Sequence, residues 1–112
     1  MVRLLLMYKV LFFENNNRQP VEDFLSSLDH VTIPKCLKAI NILENYGLSA
    51  GYPFIKKVSK EIFELRVKGQ NEIRFLFTYK KGVFYLLHGF KKKRQKLLLK
   101  DIKIAQNRLT FI

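Results

Sequence analysis

At 112 residues and 48% hydrophobic composition the chain has enough apolar material for one core and too little for two, so residues 1–112 are expected to form a single domain. Its net charge of +12 is confined to one half: residues 1–55 hold five Lys/Arg and five Asp/Glu, residues 56–112 sixteen and four, a one-sided field that attracts phosphate backbones. The single cysteine, Cys36, excludes an internal disulfide and leaves no Cys/His ligand spacing for a metal, and no stretch approaches the roughly 20 apolar residues of a membrane span, so a reduced, cytoplasmic protein with no cofactor and no membrane partner is expected.

Leu4 to Phe13 has the aliphatic and aromatic density of a buried strand. Lys9 interrupts it and no small-residue cleavage site follows, which argues against a signal peptide; Met1 and Met7 both remain open as the native start. Glu14 to Arg18 is an asparagine-rich loop. Pro20 suits a first helical turn, with Glu22 and Asp23 near the positive end of the helix dipole and Phe24, Leu25 and Leu28 as the buried stripe. A second helix is predicted from about Pro34 to Tyr46, with Leu37, Ile40 and Leu43 on its inner face and Gly47 ending it. Leu48 to Phe54 reads as a loop. From Glu61 the hydrophobic period changes to two: Phe63, Leu65 and Val67 alternate with Glu64 and Arg66, and after a turn at Gly69 to Asn71 come Ile73, Phe75, Phe77 and Tyr79, with Arg74 on the opposite face. A Lys80-Lys81-Gly82 turn leads into Val83 to Phe90, apolar on both faces and therefore a central strand. Leu98, Ile102, Ala105 and Leu109 then mark an amphipathic helix with a basic outer face. The outline is α+β: a small, mainly antiparallel sheet with two N-terminal helices and a C-terminal helix.

The chemistry is concentrated in the second half. Arg66, Arg74 and His88, followed by a basic cluster, combine side chains that hold phosphate oxygens with one that moves a proton. Surrounding cations disfavour the imidazolium, so His88 is expected to be neutral near pH 7; whether it serves as base or acid is open. Against this stands a structural reading in which His88 is a satisfied core histidine and the arginines simply pair with Glu64 or Glu72. Lysines among so many cations lose basicity, so one of the cluster is a further candidate base. The carboxylates of this half, Glu61, Glu64, Glu72 and Asp101, fall on mixed strand faces and do not supply clustered oxygen ligands for a two-metal nuclease. No helix-turn-helix pattern with a basic second helix supports a DNA-binding repressor.

The order of elements, together with Met7-Tyr8-Lys9-Val10, Pro20-Val21-Glu22-Asp23-Phe24-Leu25, Leu43-Glu44-Asn45-Tyr46-Gly47, Glu64-Leu65-Arg66-Val67, Ile73-Arg74 and Leu87-His88-Gly89-Phe90-Lys91-Lys92-Lys93, resembles the HigB-like branch of the RelE toxin superfamily. The resemblance covers nearly the whole chain from Met7 and implies a RelE-like fold. It also implies the toxin of a type II toxin–antitoxin module: a metal-independent mRNA endonuclease acting on ribosome-bound mRNA and partnered by a helix-turn-helix, HigA-like antitoxin. It implies that Arg66, Arg74, His88 and the lysines after Phe90 line the RNA groove; the residues expected to be catalytic are His88, Arg66, Arg74 and Lys91, and those expected to bind RNA are Lys92, Lys93, Arg94, Lys96 and Lys68. A nonenzymatic RNA- or ribosome-binding module is the alternative. One departure stands out: relatives continue after the lysine cluster with Gln-Lys-Thr-Pro, where this chain has Gln95-Lys96-Leu97-Leu98.

Overall fold

The computed structural model describes residues 8–67, 69, 72–93 and 99–112. Nine elements follow in chain order: strand β1 (Lys9–Phe12), helices α1 (Pro20–Ser26) and α2 (Thr32–Tyr46), a 3₁₀ turn (Gly47–Ala50), strands β2 (Ile55–Lys57), β3 (Phe63–Arg66), β4 (Ile73–Lys80) and β5 (Val83–Lys91), and helix α3 (Leu99–Leu109). The strands form one five-stranded sheet in the order β1-β5-β4-β3-β2, antiparallel except for the parallel pair β1 and β5. The fold is therefore α+β with a mostly antiparallel sheet and three helices, compatible with a RelE-like architecture.

The expected elements are present, with four differences. The first strand is an edge strand with Leu11 exposed, although its composition reads as buried. The short strand β2 lies in the stretch between the loop and the period-two region, where three residues are too few to show alternation. The segment after Gly47 begins with the 3₁₀ turn. In α2 the inner stripe is Cys36, Ala39, Ile40 and Leu43, which turns Leu37 out to solvent.

Two glycines are required by local geometry. Gly47, at φ 56°, ends α2 where a β-carbon would lie 2.7 Å from the Tyr8 ring, while the Tyr8 amide donates to the Glu44 carbonyl at 2.9 Å. Lys81 and Gly82, both at positive φ, make the two-residue turn that joins β4 to β5 with Lys80 opposite Val83. Phe75, Phe77, Phe84, Leu65, Leu76, Leu86 and Leu87 are fully buried at the sheet centre. On one face α1 lays Phe24 edge-on against Phe75, with ring centroids 6.0 Å apart, over Gly89. The opposite face receives α3.

One irregularity decides which residues that second face carries. From the turn outward Thr78 pairs with Tyr85 and Phe77 with Leu86, but Leu76 pairs with His88, leaving Leu87 as an extra residue on β5. A bulge-free hairpin from the same turn would place His88 opposite Phe75, on the α1 face, because a one-residue slip inverts every side chain beyond it. The bulge instead puts His88 in one row with Leu76 and Glu64, and Phe90 in one row with Arg74 and Arg66. The Leu87 carbonyl accepts a hydrogen bond from Arg108 Nη1 of α3 at 2.8 Å, so the helix holds the bulge.

Candidate functional site

Strand alternation and register place Lys56, Glu64, Leu76 and His88 in one row across β2, β3, β4 and β5, and Arg66, Arg74 and Phe90 in the next. Arg66 and Arg74 are directly opposed across β3 and β4, where like charges repel unless something neutralises them. Glu64, 1% exposed, does so: its Oε1 lies 3.1 Å from Arg66 Nε and 3.6 Å from Arg74 Nε. The longer distance is an ion contact without a hydrogen bond, and Glu64 Oε2 and Arg74 Nε are buried with no hydrogen-bond partner among the described residues. Arg74 also donates from Nη2 to Glu72 at 2.6 Å and from Nη1 to the Ile73 carbonyl at 3.1 Å. Both pairings weighed from the sequence thus occur, and they anchor the guanidiniums in the sheet.

The two arginines differ in access. Arg74 is almost wholly buried, whereas about a quarter of the Arg66 side chain is open. The hydrogen bond to Glu64 raises the Arg66 pKa above the usual guanidinium value against a smaller opposing effect of burial, with a further contribution from Tyr52. The Tyr52 ring is 5.5 Å from Arg66 Cζ, a cation–π contact. Pro53, Phe54, Arg66, Val67, Gly69, Glu72 and Arg74 enclose a cleft of about 280 Å³ at this end of the sheet.

His88 forms the second half of the site. Its Nε2 is 2.8 Å from Asp101 Oδ1 on α3, and its ring stacks on Phe90 with centroids 5.3 Å apart. Burial pushes the His88 pKa below 6.5; the hydrogen bond and charge of Asp101 oppose that shift, and Arg108 and Lys100 add to it. A carboxylate accepts and does not donate, so the neutral ring carries its proton on Nε2 and keeps the Nδ1 lone pair as its basic position. Asp101 is 5% exposed in an otherwise basic helix. The structural and the chemical readings of His88 therefore meet in one arrangement: a half-buried histidine with a fixed tautomer.

Of the residues singled out from the sequence, the structure brings Arg66, Arg74 and His88 to one sheet face. Lys91 falls on the other parity of β5, and its charge acts on Asp29 at the start of α2, where hydrogen bonding from Thr32 is the main cause of a lowered carboxyl pKa. Lys92 follows β5 with its amide donating to the Glu72 carbonyl at 2.7 Å, and Lys93 is exposed. Lys68, Arg94 and Lys96 lie outside the described residues. Three members of the face were not singled out from the sequence as site residues. Lys56 hides in a three-residue strand, and Tyr52 in a loop. Asp101 carries a signal in retrospect, since Asp101, Ala105 and Arg108 share one stripe of α3.

The sequence model of the family described as Phage derived protein Gp49-like (DUF891) matches residues 23–110, which include both arginines, His88 and Asp101. No curated protein matches the chain.

Proposed function

The chain belongs to the phage-derived Gp49-like family, a toxin-like family of the RelE/HigB type, and we propose that it is the toxin of a type II toxin–antitoxin module that cleaves mRNA without a metal. The observation that supports this reading is the meeting of the Arg66–Arg74 pair with a neutral, oriented imidazole on one sheet face. His88 and Arg74 are diagonal cross-strand neighbours, a relation that sets residues roughly 7–8 Å apart, so both side chains can reach one phosphodiester.

In the proposed reaction His88 Nδ1 takes the proton of the ribose 2′-hydroxyl. The 2′-oxygen attacks the adjacent phosphorus, the bond to the 5′-oxygen breaks, and that oxygen leaves with a proton from solvent. The products are a 2′,3′-cyclic phosphate and a 5′-hydroxyl. Arg66 and Arg74 stabilise the charge gathering on the phosphoryl oxygens, and Asp101 stabilises the imidazolium as it forms. The carboxylates of this face are already engaged, Glu64 by two arginines and Asp101 by His88, which favours chemistry by cations and imidazole. A cognate antitoxin, helix-turn-helix and HigA-like, and the ribosome are the partners this reading assigns.

The test is expression of the chain with and without its neighbouring gene, followed by mapping of mRNA ends. Cut messages with 5′-hydroxyl downstream fragments, lost in His88→Ala and suppressed by the neighbour, are expected. Intact mRNA with translation still blocked would replace the enzyme by a nonenzymatic RNA- or ribosome-binding module. Downstream 5′-phosphates, or cleavage of a substrate with 2′-deoxyribose at the cut site, would overturn the mechanism.

A further inference from the structure

A second cavity, of about 350 Å³, adjoins the arginine cleft and is lined by Lys35, Lys38, Ala39, Ile42, Phe54 and Arg66. Phe54 and Arg66 line both spaces, so the groove that holds the cations continues past them into a chamber against α2. The two spaces differ in chemistry. The cleft is lined by three charged side chains, Arg66, Glu72 and Arg74, whereas the chamber is lined by Phe54, Ala39 and Ile42 together with Lys35, Lys38 and the shared Arg66. An apolar, aromatic-lined space that shares Arg66 with the guanidinium cleft and carries two further lysines matches a nucleotide, whose flat base branches from a backbone with a phosphate on either side.

We propose that this chamber seats the nucleobase next to the phosphodiester held by Arg66 and Arg74, with Phe54 as its stacking surface and Lys35 and Lys38 meeting the following phosphate. The proposal rests on the ribonuclease reading above and extends it by assigning a base-recognition pocket to a substrate that reading describes only through its phosphate and ribose. Three features favour a base. The volume lies in the range of small-ligand pockets, and the lining surface is mostly apolar with three cationic side chains among its residues. Base-on-aromatic stacking tolerates any of the four bases, while the fixed shape of the chamber favours some. Tyr52, 76% exposed, adds a second aromatic ring beside Arg66, which lines the chamber.

The chain contains no tryptophan, so Phe54→Trp installs a single fluorescent reporter in the chamber. The variant is titrated with a short RNA carrying 2′-deoxyribose throughout the cleavable positions, and in parallel with inorganic polyphosphate as a base-free polyanion. Stacking predicts quenching of the tryptophan by the oligonucleotide and little change with polyphosphate. Lys38→Glu in the same background is expected to raise the oligonucleotide concentration for half-quenching about 3- to 10-fold at low salt, with a shallower salt dependence. Lys9→Glu, on the sheet edge farthest from β2, is expected to change it less than twofold. An oligonucleotide that binds by anisotropy without quenching, an equal response to polyphosphate, or a response to the antitoxin in place of RNA would each overturn the base seat. Quenching in a protein that cuts no mRNA would retain the seat and remove the nuclease, so the two readings fail separately.

Discussion

Glu64→Gln tests whether the arginine pair is held by a buried charge or merely decorated by one. The substitution keeps size and one acceptor oxygen but removes the only negative charge the described residues place between Arg66 and Arg74. At an effective dielectric of about 20 a charge pair at 3.6 Å is worth roughly 4–5 kcal/mol before the saving in carboxylate desolvation. Breaking buried ion pairs by removing one partner costs about 3–5 kcal/mol, and the retained hydrogen-bond acceptor places Gln at the low end, about 3 kcal/mol. That is a large share of the ~5–15 kcal/mol typical of a domain and corresponds to a fall in Tm of about 12 °C. The assay is urea and thermal unfolding of both proteins across a sulfate series. With the counter-charge they share gone, the two guanidiniums become a better dianion site even though Arg74 keeps Glu72, so sulfate should stabilise the variant more than the wild type. A loss under 1 kcal/mol, or the same sulfate response in both proteins, would refute the clamp.

Four further outcomes follow from the same geometry. Glu72, mostly solvent-exposed, competes with phosphate for Arg74 Nη2; Glu72→Gln should tighten RNA binding about threefold by anisotropy while leaving stability within about 1 kcal/mol, and weaker binding would contradict the competition. In the proposed reaction His88 acts as a base only when neutral, and its pKa lies below 6.5, so the cleavage rate should fall on its acid side below pH 6.5; Asp101→Asn removes the influences that raise that pKa and should move this limb to lower pH, whereas an unchanged limb would dissociate Asp101 from the reacting base. The same depressed pKa makes the unfolded chain bind the proton more readily, so the contribution of neutral His88 to stability is complete above pH 6.5 and is lost as pH falls toward the folded-state pKa, a slope that His88→Ala should remove from urea midpoints measured against pH. Arg108→Met removes the hydrogen bond to the Leu87 carbonyl; a destabilisation of about 1–3 kcal/mol with a drop in cleavage and unchanged RNA affinity is expected, and full activity would show that the bulge holds itself.

Much of this architecture is legible in the sequence because it follows from period and punctuation. The alternation of Phe63 and Leu65 with Glu64 and Arg66 fixes which side of β3 bears charge, Lys81-Gly82 fixes the hairpin, Gly47 stops α2, and Ala105 marks the inner face of α3. The features that escape are those where one residue changes a parity or where partners are far apart. Nothing in Phe84-Tyr85-Leu86-Leu87-His88 marks Leu87 as the bulged residue, since every choice buries an apolar side chain, yet that choice decides which face His88 joins. The parallel pairing of β1 with β5 spans most of the chain, and no local pattern distinguishes an apolar edge strand from a central one. Asp101 looks incidental among lysines until the helix is docked against His88.

That long-range pairing also orders events in time. As the polypeptide leaves its own ribosome, Lys9–Phe12 emerges before Val83–Leu86, the strand it pairs with, so the sheet closes only after its four other strands exist. The cation pair is complete once β4 has folded onto β3, but the histidine comes later and its carboxylate 13 positions later still. A growing chain therefore has its pair of guanidiniums in place before the imidazole and the carboxylate that orients it.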